Sequence, residues 1–121
     1  MTASTPNTRT VEAYLRGFRT MDRALILSCV TDDVEWVIPG GFEARGKAGF
    51  AEHIVEPGFA AAPPVITETR TVEAGDVVVV EGTVQAPRAD GGLVDLVFCD
   101  VFDMRDAKIR RLVSYLVVLK A

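Results

Sequence analysis

Residues 92–103, with the sequence GLVDLVFCDVFD, form the longest strand-like run of the chain and carry three acids, among them Asp100, which is flanked by apolar residues. Strand side chains alternate between two faces, so one face holds Val94, Leu96, Phe98, Asp100 and Phe102. The opposite face is apolar in its centre and charged only at its ends. The pattern predicts a strand buried on both sides, with Asp100 between two phenylalanines.

Asp100 is the main candidate for a functional residue, because an ionised carboxylate among aromatic rings costs several kcal/mol to bury. Burial by Phe98 and Phe102 should raise the pKa of Asp100, whereas a protonated His53 nearby would lower that pKa. Two interpretations stay open. Asp100 is either a structural acid that binds a backbone amide or caps a turn, or a group with a chemical role.

The chain is predicted to be one domain spanning residues 1–121, long enough to bury a core without disulfides or a metal. A composition of 49% hydrophobic and 25% charged residues is typical of a globular protein. The net charge of -4 gives no electrostatic reason to bind nucleic acid or an anionic membrane. We therefore expect no nucleic-acid partner and no membrane partner.

The start of the chain and its cysteines indicate a soluble, cytoplasmic protein. Residues 1–10 are polar and lack the apolar segment of a signal peptide, and no apolar run approaches the ~18 residues of a membrane span. Cys29 and Cys99 have no spacing typical of zinc or redox motifs, so we interpret both as buried thiols.

Three helices are predicted before most of the strands, with approximate bounds of 11–18, 22–30 and 46–56. Thr8 or Thr10 is available as the N-cap of the first helix, and Asp22 as the N-cap of the second. Strands are predicted at 34–38, 65–73, 77–86, 92–103 and 109–119. Helices followed by hairpin-linked strands favour the α+β class, with the helices on one face of a curved antiparallel sheet.

Residues 41–48, GFEARGKA, match most of a phosphate-binding P-loop, but Ala48 stands where that motif needs Ser or Thr to bind magnesium. We therefore interpret Gly40 and Gly41 as a turn, and Gly46 as the start of the third helix. Ser114 and Ser28 lack the Gly-x-Ser-x-Gly context of a hydrolase nucleophile, so Ser114 is predicted to line a pocket.

His53 is the single histidine, which excludes a metal site built on two or three histidines. It is either a packed core residue or one of the few groups that could titrate near neutral pH. Tyr14 lies on the inner face of the first helix. Its phenol could donate to an oxyanion, or it could be a core tyrosine whose hydroxyl reaches water.

The order of elements resembles the nuclear-transport-factor-2-like (NTF2-like) superfamily, in particular its SnoaL-like polyketide cyclase and ketosteroid isomerase branch. The resemblance covers about 8–119. Its most specific segments are TDDVEW at 31–36, GKAGF at 46–50, FCDVF at 98–102 and KIRRLVSYL at 108–116. It implies a cone-shaped α+β barrel around an apolar pocket, in which isomerases and cyclases work without a metal or cofactor.

The resemblance also implies roles for individual residues. Tyr14 and Asp100 match the two oxyanion donors of the isomerase, a case in which an apolar site keeps a carboxylic acid protonated. Ile38 falls where the isomerase keeps its catalytic base and cannot accept a proton. His53 falls on a cavity-facing position and is the predicted substitute base. The Asp-Arg-Asp arrangement of related epoxide hydrolases is not expected, because the arginines lie near turns or outside.

The first functional hypothesis is a cofactor-free enzyme in which Asp100, His53 and Tyr14 move a proton on a ring-containing or polyketide-like substrate. The alternative is a non-catalytic module of the same fold that binds an apolar ligand or only dimerises. The residues expected to line the pocket are Phe18, Trp36, Ile38, Phe50, Phe98, Phe102, Ser114 and Leu116. A homodimer is expected because the last strand is apolar on both faces, whereas the helices can cover only one.

Overall fold

The computed structural model describes residues 4–54, 63–88 and 90–120. In chain order its elements are α1 (Pro6–Thr20), α2 (Arg23–Ser28), β1 (Val30–Ile38), β2 (Phe42–Arg45), α3 (Gly46–Glu52), β3 (Val65–Ala74), β4 (Val77–Pro87), β5 (Leu93–Arg105) and β6 (Lys108–Lys120). The helices pack on one face of the sheet, which confirms the α+β class.

The six strands form one open sheet in the order β2-β1-β6-β5-β4-β3. Strands β3 to β6 are consecutive antiparallel neighbours, as their short connecting turns require. Strand β1, however, pairs in parallel with β6, so the sheet is mixed rather than purely antiparallel and does not close into a barrel. This pairing joins distant parts of the chain, and no turn between the two strands fixes their relative direction.

The N-terminal half differs from the sequence prediction at its boundaries. The N-cap of α1 is Thr5 rather than Thr8 or Thr10, and Thr8 instead completes a reciprocal capping box with Thr5. Thr10 donates to the carbonyl oxygen of Ala107 at 2.6 Å, which ties α1 to the β5–β6 turn. The capping box satisfies backbone donors at the start of the helix.

Helix α2 begins as predicted, because the Asp22 side chain accepts a hydrogen bond from the Leu25 backbone N–H at 3.0 Å. It ends at Ser28, and Val30 already belongs to β1. Its buried Ile26 lies against Gly17 of α1, where an added Cβ would stand 2.6 Å from the Ile26 side chain. A glycine at position 17 therefore permits the close approach of the two helices.

Strand β2 is missing from the sequence prediction. It follows a turn at Gly40 and Gly41, as predicted, and pairs antiparallel with β1. Helix α3 begins at Gly46, also as predicted, but it ends at Glu52 with His53 as its C-cap. The predicted end at Glu56 and the following Pro57 and Gly58 lie outside the described residues.

Strand β5 has the predicted alternation of faces, but the predicted burial of both faces is met only on the inner one. Its inner face is buried at Phe98, Asp100, Phe102 and Met104, whereas the intervening outer residues are only half-buried. One face of β5 therefore packs towards the helices and the other is partly open. Within the described residues, no helix is long and apolar enough to cross a membrane.

Candidate functional site

A cavity of about 310 Å³ lies between α1, the end of α3 and the inner face of the sheet. It is lined mainly by apolar side chains. Every predicted site residue except Phe50 and Phe102 lines it: Tyr14, Phe18, Trp36, Ile38, His53, Phe98, Asp100, Ser114 and Leu116. The structure adds four apolar lining residues that the sequence does not single out, namely Leu15, Ile66, Val84 and Leu96.

Phe50 and Phe102 are fully buried and lie outside the cavity lining. Phe50 stacks on the Trp36 ring with 4.5 Å between ring centroids, and Phe102 meets the Tyr14 ring edge-on at 5.5 Å. They pack against the lining residues Trp36 and Tyr14. Sequence alternation predicts which face of a strand Phe102 occupies, but not how deep along that face the cavity extends.

Asp100 is the acid of the cavity. It is 8% exposed and lies between Val80 of β4 and Ser114 of β6 in the strand pairing. Burial raises the pKa of Asp100 to about 7, and a hydrogen bond with the Ser114 side chain opposes that rise. The group that lowers this pKa is Ser114, and His53 is not among the causes. Near neutral pH both forms of Asp100 are populated.

Ser114 links the acid to the aromatic wall of the cavity. The Trp36 indole N–H donates a buried hydrogen bond of 3.1 Å to the Ser114 hydroxyl oxygen. Because an indole N–H can only donate, Ser114 is the acceptor in this bond. Its own hydroxyl hydrogen therefore remains available for Asp100.

Tyr14 reaches the cavity from α1, with its ring packed edge-on against Phe18, Phe50 and Phe102. Burial, and then the nearby Asp100, raise the pKa of Tyr14 well above its usual value. The phenol therefore stays protonated at physiological pH. Tyr14 lines the cavity, and its protonated hydroxyl can donate to a bound ligand.

His53 sits at the C-terminal end of α3, where its Nδ1 lies 3.1 Å from the carbonyl oxygen of Gly49. A carbonyl oxygen only accepts, so Nδ1 carries the hydrogen and the neutral ring keeps a lone pair on Nε2. The ring stacks on Phe42 with 3.8 Å between centroids. These two contacts fix the orientation of an imidazole that can accept a proton.

The described lining has neither an acid or base at position 38 nor an arginine. Ile38 faces the cavity, as the sequence predicts, and brings no acid or base to it. None of the described lining residues is an arginine, and Arg105 forms an exposed ion pair with Asp33 at 2.6 Å. Among residues 4–54, 63–88 and 90–120, no three His, Cys, Asp or Glu side chains converge as metal ligands would.

A second, more open groove of about 410 Å³ lies between α1, the end of α2 and the β5–β6 turn. Two of its polar side chains bond to carbonyl oxygens within the groove. Thr10 donates to Ala107, and the Lys108 ammonium donates to the Ser28 carbonyl oxygen at 2.6 Å. This groove is larger, but the inner cavity alone brings together Tyr14, His53 and Asp100 among the described residues. We take the inner cavity as the candidate site.

Comparisons with known proteins agree with this fold. The chain matches the SnoaL-like domain family over residues 11–112. The crystal structure of TerC co-crystallised with polyporic acid is 32% identical, with 91% of this chain and 90% of that chain covered and a TM-score of 0.80. No significant match is found among curated protein sequences.

Two further crystal structures show the same fold at lower identity. An NTF2-like protein of Burkholderia pseudomallei is 20% identical, with 94% and 92% of the two chains covered and a TM-score of 0.84. An epoxide hydrolase of the LEH-like type from M. tuberculosis is 22% identical, with 94% and 84% covered and a TM-score of 0.82. The chain therefore belongs to the SnoaL-like domain family and has the NTF2-like fold.

Proposed function

We propose that this protein is a cofactor-free enzyme that moves a proton on an apolar, ring-containing or polyketide-like substrate, as in an isomerisation or a cyclisation. The observation that carries the proposal is one mainly apolar cavity that contains Asp100, Tyr14 and His53. A buried acid with a pKa of about 7 suits general acid-base catalysis, which is most effective near the working pH.

Two divisions of the roles are consistent with the cavity. An ionised Asp100 would remove a proton from a carbon next to a substrate carbonyl, while Tyr14 donates to the oxygen on which negative charge develops. A protonated Asp100 would instead join Tyr14 as a donor to that oxygen, and the Nε2 of His53 would take the proton. Both schemes place the substrate oxygen at Tyr14, whereas Asp100 faces the reacting carbon in the first scheme and the oxygen in the second.

The lining of the cavity supports the proposed substrate class. A volume of about 310 Å³ lies at the small end of the usual range for ligand pockets, and the walls are aromatic and aliphatic. TerC, which shares 32% of its sequence with this chain, was crystallised with polyporic acid. That ligand supports a ring-containing small molecule as the class of compound to test here.

The alternative is a non-catalytic module that binds an apolar ligand or dimerises. Ile38 favours it, because this side chain occupies the cavity wall where a catalytic base would be useful. The trio of Asp100, Tyr14 and His53 favours the enzyme, because an apolar binding module has no need of a carboxyl group whose burial is costly.

The outer face of the sheet supports a homodimer. Tyr115, Val117 and Leu119 point outwards from β6 and are each more than half exposed. They adjoin the half-buried Val97 and Val101 of β5, which gives a continuous apolar surface that the helices do not cover. We propose that a second copy of the chain packs on this face.

Ligand binding is tested through Trp36, the single tryptophan, whose ring lines the cavity. We expect polyporic acid, or a member of a panel of steroids, flavonoids and anthraquinones, to change the Trp36 emission and to release or absorb heat in calorimetry. Val84→Phe should fill the cavity and abolish both signals. Thr83→Phe, one residue away on the opposite face of β4, is the matched control and should keep them. An unchanged emission and no heat across the panel would contradict the proposal.

A further inference from the structure

We propose that Ser114 is a positioning residue: the Trp36 indole holds its hydroxyl as a hydrogen-bond donor to Asp100, which favours the ionised carboxylate. The proposal deepens the proposed function, on which the catalytic role of Asp100 rests. It concerns a residue that pairs with the acid across β5 and β6, and it makes no claim that Ser114 touches the reacting atoms.

The direction of each hydrogen bond follows from which atoms of Trp36, Ser114 and Asp100 carry a hydrogen and which carry a lone pair. The Trp36 N–H occupies one lone pair of the Ser114 oxygen at 3.1 Å, and it has no lone pair to offer in return. The one hydrogen of the Ser114 hydroxyl must then find another acceptor, and Ser114 is 4% exposed. Asp100 is its direct partner in the β5–β6 pairing, and a side-chain hydrogen bond between the two lowers the pKa of Asp100.

The Trp36 ring cannot turn away easily. It stacks on Phe50 at 4.5 Å and meets Phe42 and Phe18 edge-on at 5.1 Å and 6.2 Å. These contacts on three sides hold the Trp36 ring and therefore the direction of its N–H. The N–H in turn restricts the rotation of the Ser114 hydroxyl. The aromatic cluster therefore determines the orientation of a donor at the acid.

The other groups around Asp100 do not replace this donor. Strand β4 presents Val80, helix α1 presents the Tyr14 phenol and the end of α3 presents His53 at the same cavity. Cys99 is next in sequence and points to the opposite face. Tyr14 and His53 are thus the other titratable side chains that line the cavity among the described residues. Burial raises the pKa of Asp100, and the bond to Ser114 is the influence that lowers it.

One consequence concerns ligands. Trp36 lines the cavity, so a ligand that shifts its ring also shifts the hydroxyl that bonds Asp100. A substrate that contacts Trp36 would then alter the pKa of Asp100 through the Ser114 hydroxyl. Ser114 is the hydrogen-bonding link in this chain of contacts, so removing it should weaken the coupling of Trp36 to Asp100.

The test is an NMR titration of the Asp100 side-chain carbon in the full-length protein without substrate. Ser114→Ala should raise the titration midpoint by about one pH unit, because a charge-assisted hydrogen bond to the carboxylate is lost. Ser114→Thr keeps a hydroxyl and should return the midpoint close to that of the wild type. Trp36→Phe should raise the midpoint when Ser114 is present, and should add nothing in the Ser114→Ala background.

A second readout needs no variant. The indole N–H resonance of Trp36 in the wild-type protein should shift with pH at the same midpoint as Asp100, because Ser114 connects them. The proposal is overturned if this resonance ignores the titration, if Ser114→Ala leaves or lowers the midpoint, if Ser114→Thr behaves like Ser114→Ala, or if Trp36→Phe acts equally in both backgrounds. Because no substrate is present, these outcomes are independent of whether the protein is an enzyme.

Discussion

Gly82 and Phe98 face each other across β4 and β5, and a Cβ atom at position 82 would lie 2.8 Å from the Phe98 ring. The same Cβ would also collide with the backbone carbonyl oxygen of Thr67 on β3. Phe98 lines the cavity, so the absence of a side chain at Gly82 lets the ring lie close to the sheet. The cavity volume depends on this glycine.

Gly82→Ala should therefore destabilise the protein by about 1–3 kcal/mol, the usual cost of overpacking, and push Phe98 towards the ligand space. Chemical denaturation and ligand affinity measure the two effects. Gly49→Ala is the control, because a Cβ there has no atom within 4 Å and alanine favours the interior of a helix. Equal stability and affinity of Gly82→Ala and wild type would show that the close contact has no effect.

Asp100 should make the folding stability depend on pH. Its pKa is raised from the usual 3.8 to about 7, so the folded protein binds the proton more tightly than the unfolded chain does. Stability should fall as pH rises from about 4 to about 7, and the contribution should be constant above that. Each pKa unit corresponds to about 1.4 kcal/mol, so the total is several kcal/mol.

Asp100→Asn removes the titrating group and keeps the shape of the side chain. Its stability advantage over the wild type should grow across this pH window in urea denaturation, with little difference below pH 4. Subtracting one protein from the other cancels the remaining groups, including Glu12, whose pKa is also raised to about 7. An advantage that shrinks as pH rises would mean that Asp100 is stabilised in its ionised form.

Two separate glutamate substitutions, one on each face of β6, test the dimer surface. Val117 points to the outer face and Val118 to the inner one, and they are 58% and 57% exposed. Val117→Glu should give a 13 kDa species in sedimentation at micromolar concentration, whereas Val118→Glu should leave the dimer intact. A wild-type protein that sediments only as a monomer would contradict the dimer proposal.

The fold is predictable from the sequence wherever local patterns decide it. The alternation along 92–103 and the turn residues between strands predict β3 to β6, and Asp22 predicts the start of α2. Strand β2 is too short to show a period of two. The parallel pairing of β1 with β6 depends on contacts between distant parts of the chain, which local patterns do not carry.

Much of the cavity lining is predictable as well, because alternation places Phe98, Asp100 and Ser114 on inner faces. Alternation does not predict how far along a strand face the cavity extends. Phe102 shares a face with Asp100 but lies beyond the cavity, under Tyr14. The Trp36–Ser114 bond joins residues 78 positions apart, and no sequence pattern indicates it.

Solvent deuterium exchange tests whether the cavity moves a proton on a bound substrate with the help of Asp100, as its base or as a donor to the substrate oxygen. The wild-type protein should catalyse deuterium incorporation next to the carbonyl of an enolisable ketone, from a panel of ketosteroids and flavanones, and Asp100→Ala should abolish it. Asp100→Asn should lose roughly 10²-fold or more if the ionised acid is the base, and much less if the protonated acid is a donor. Exchange by Asp100→Ala at the wild-type rate, with the variant folded and the ketone bound, would contradict the account.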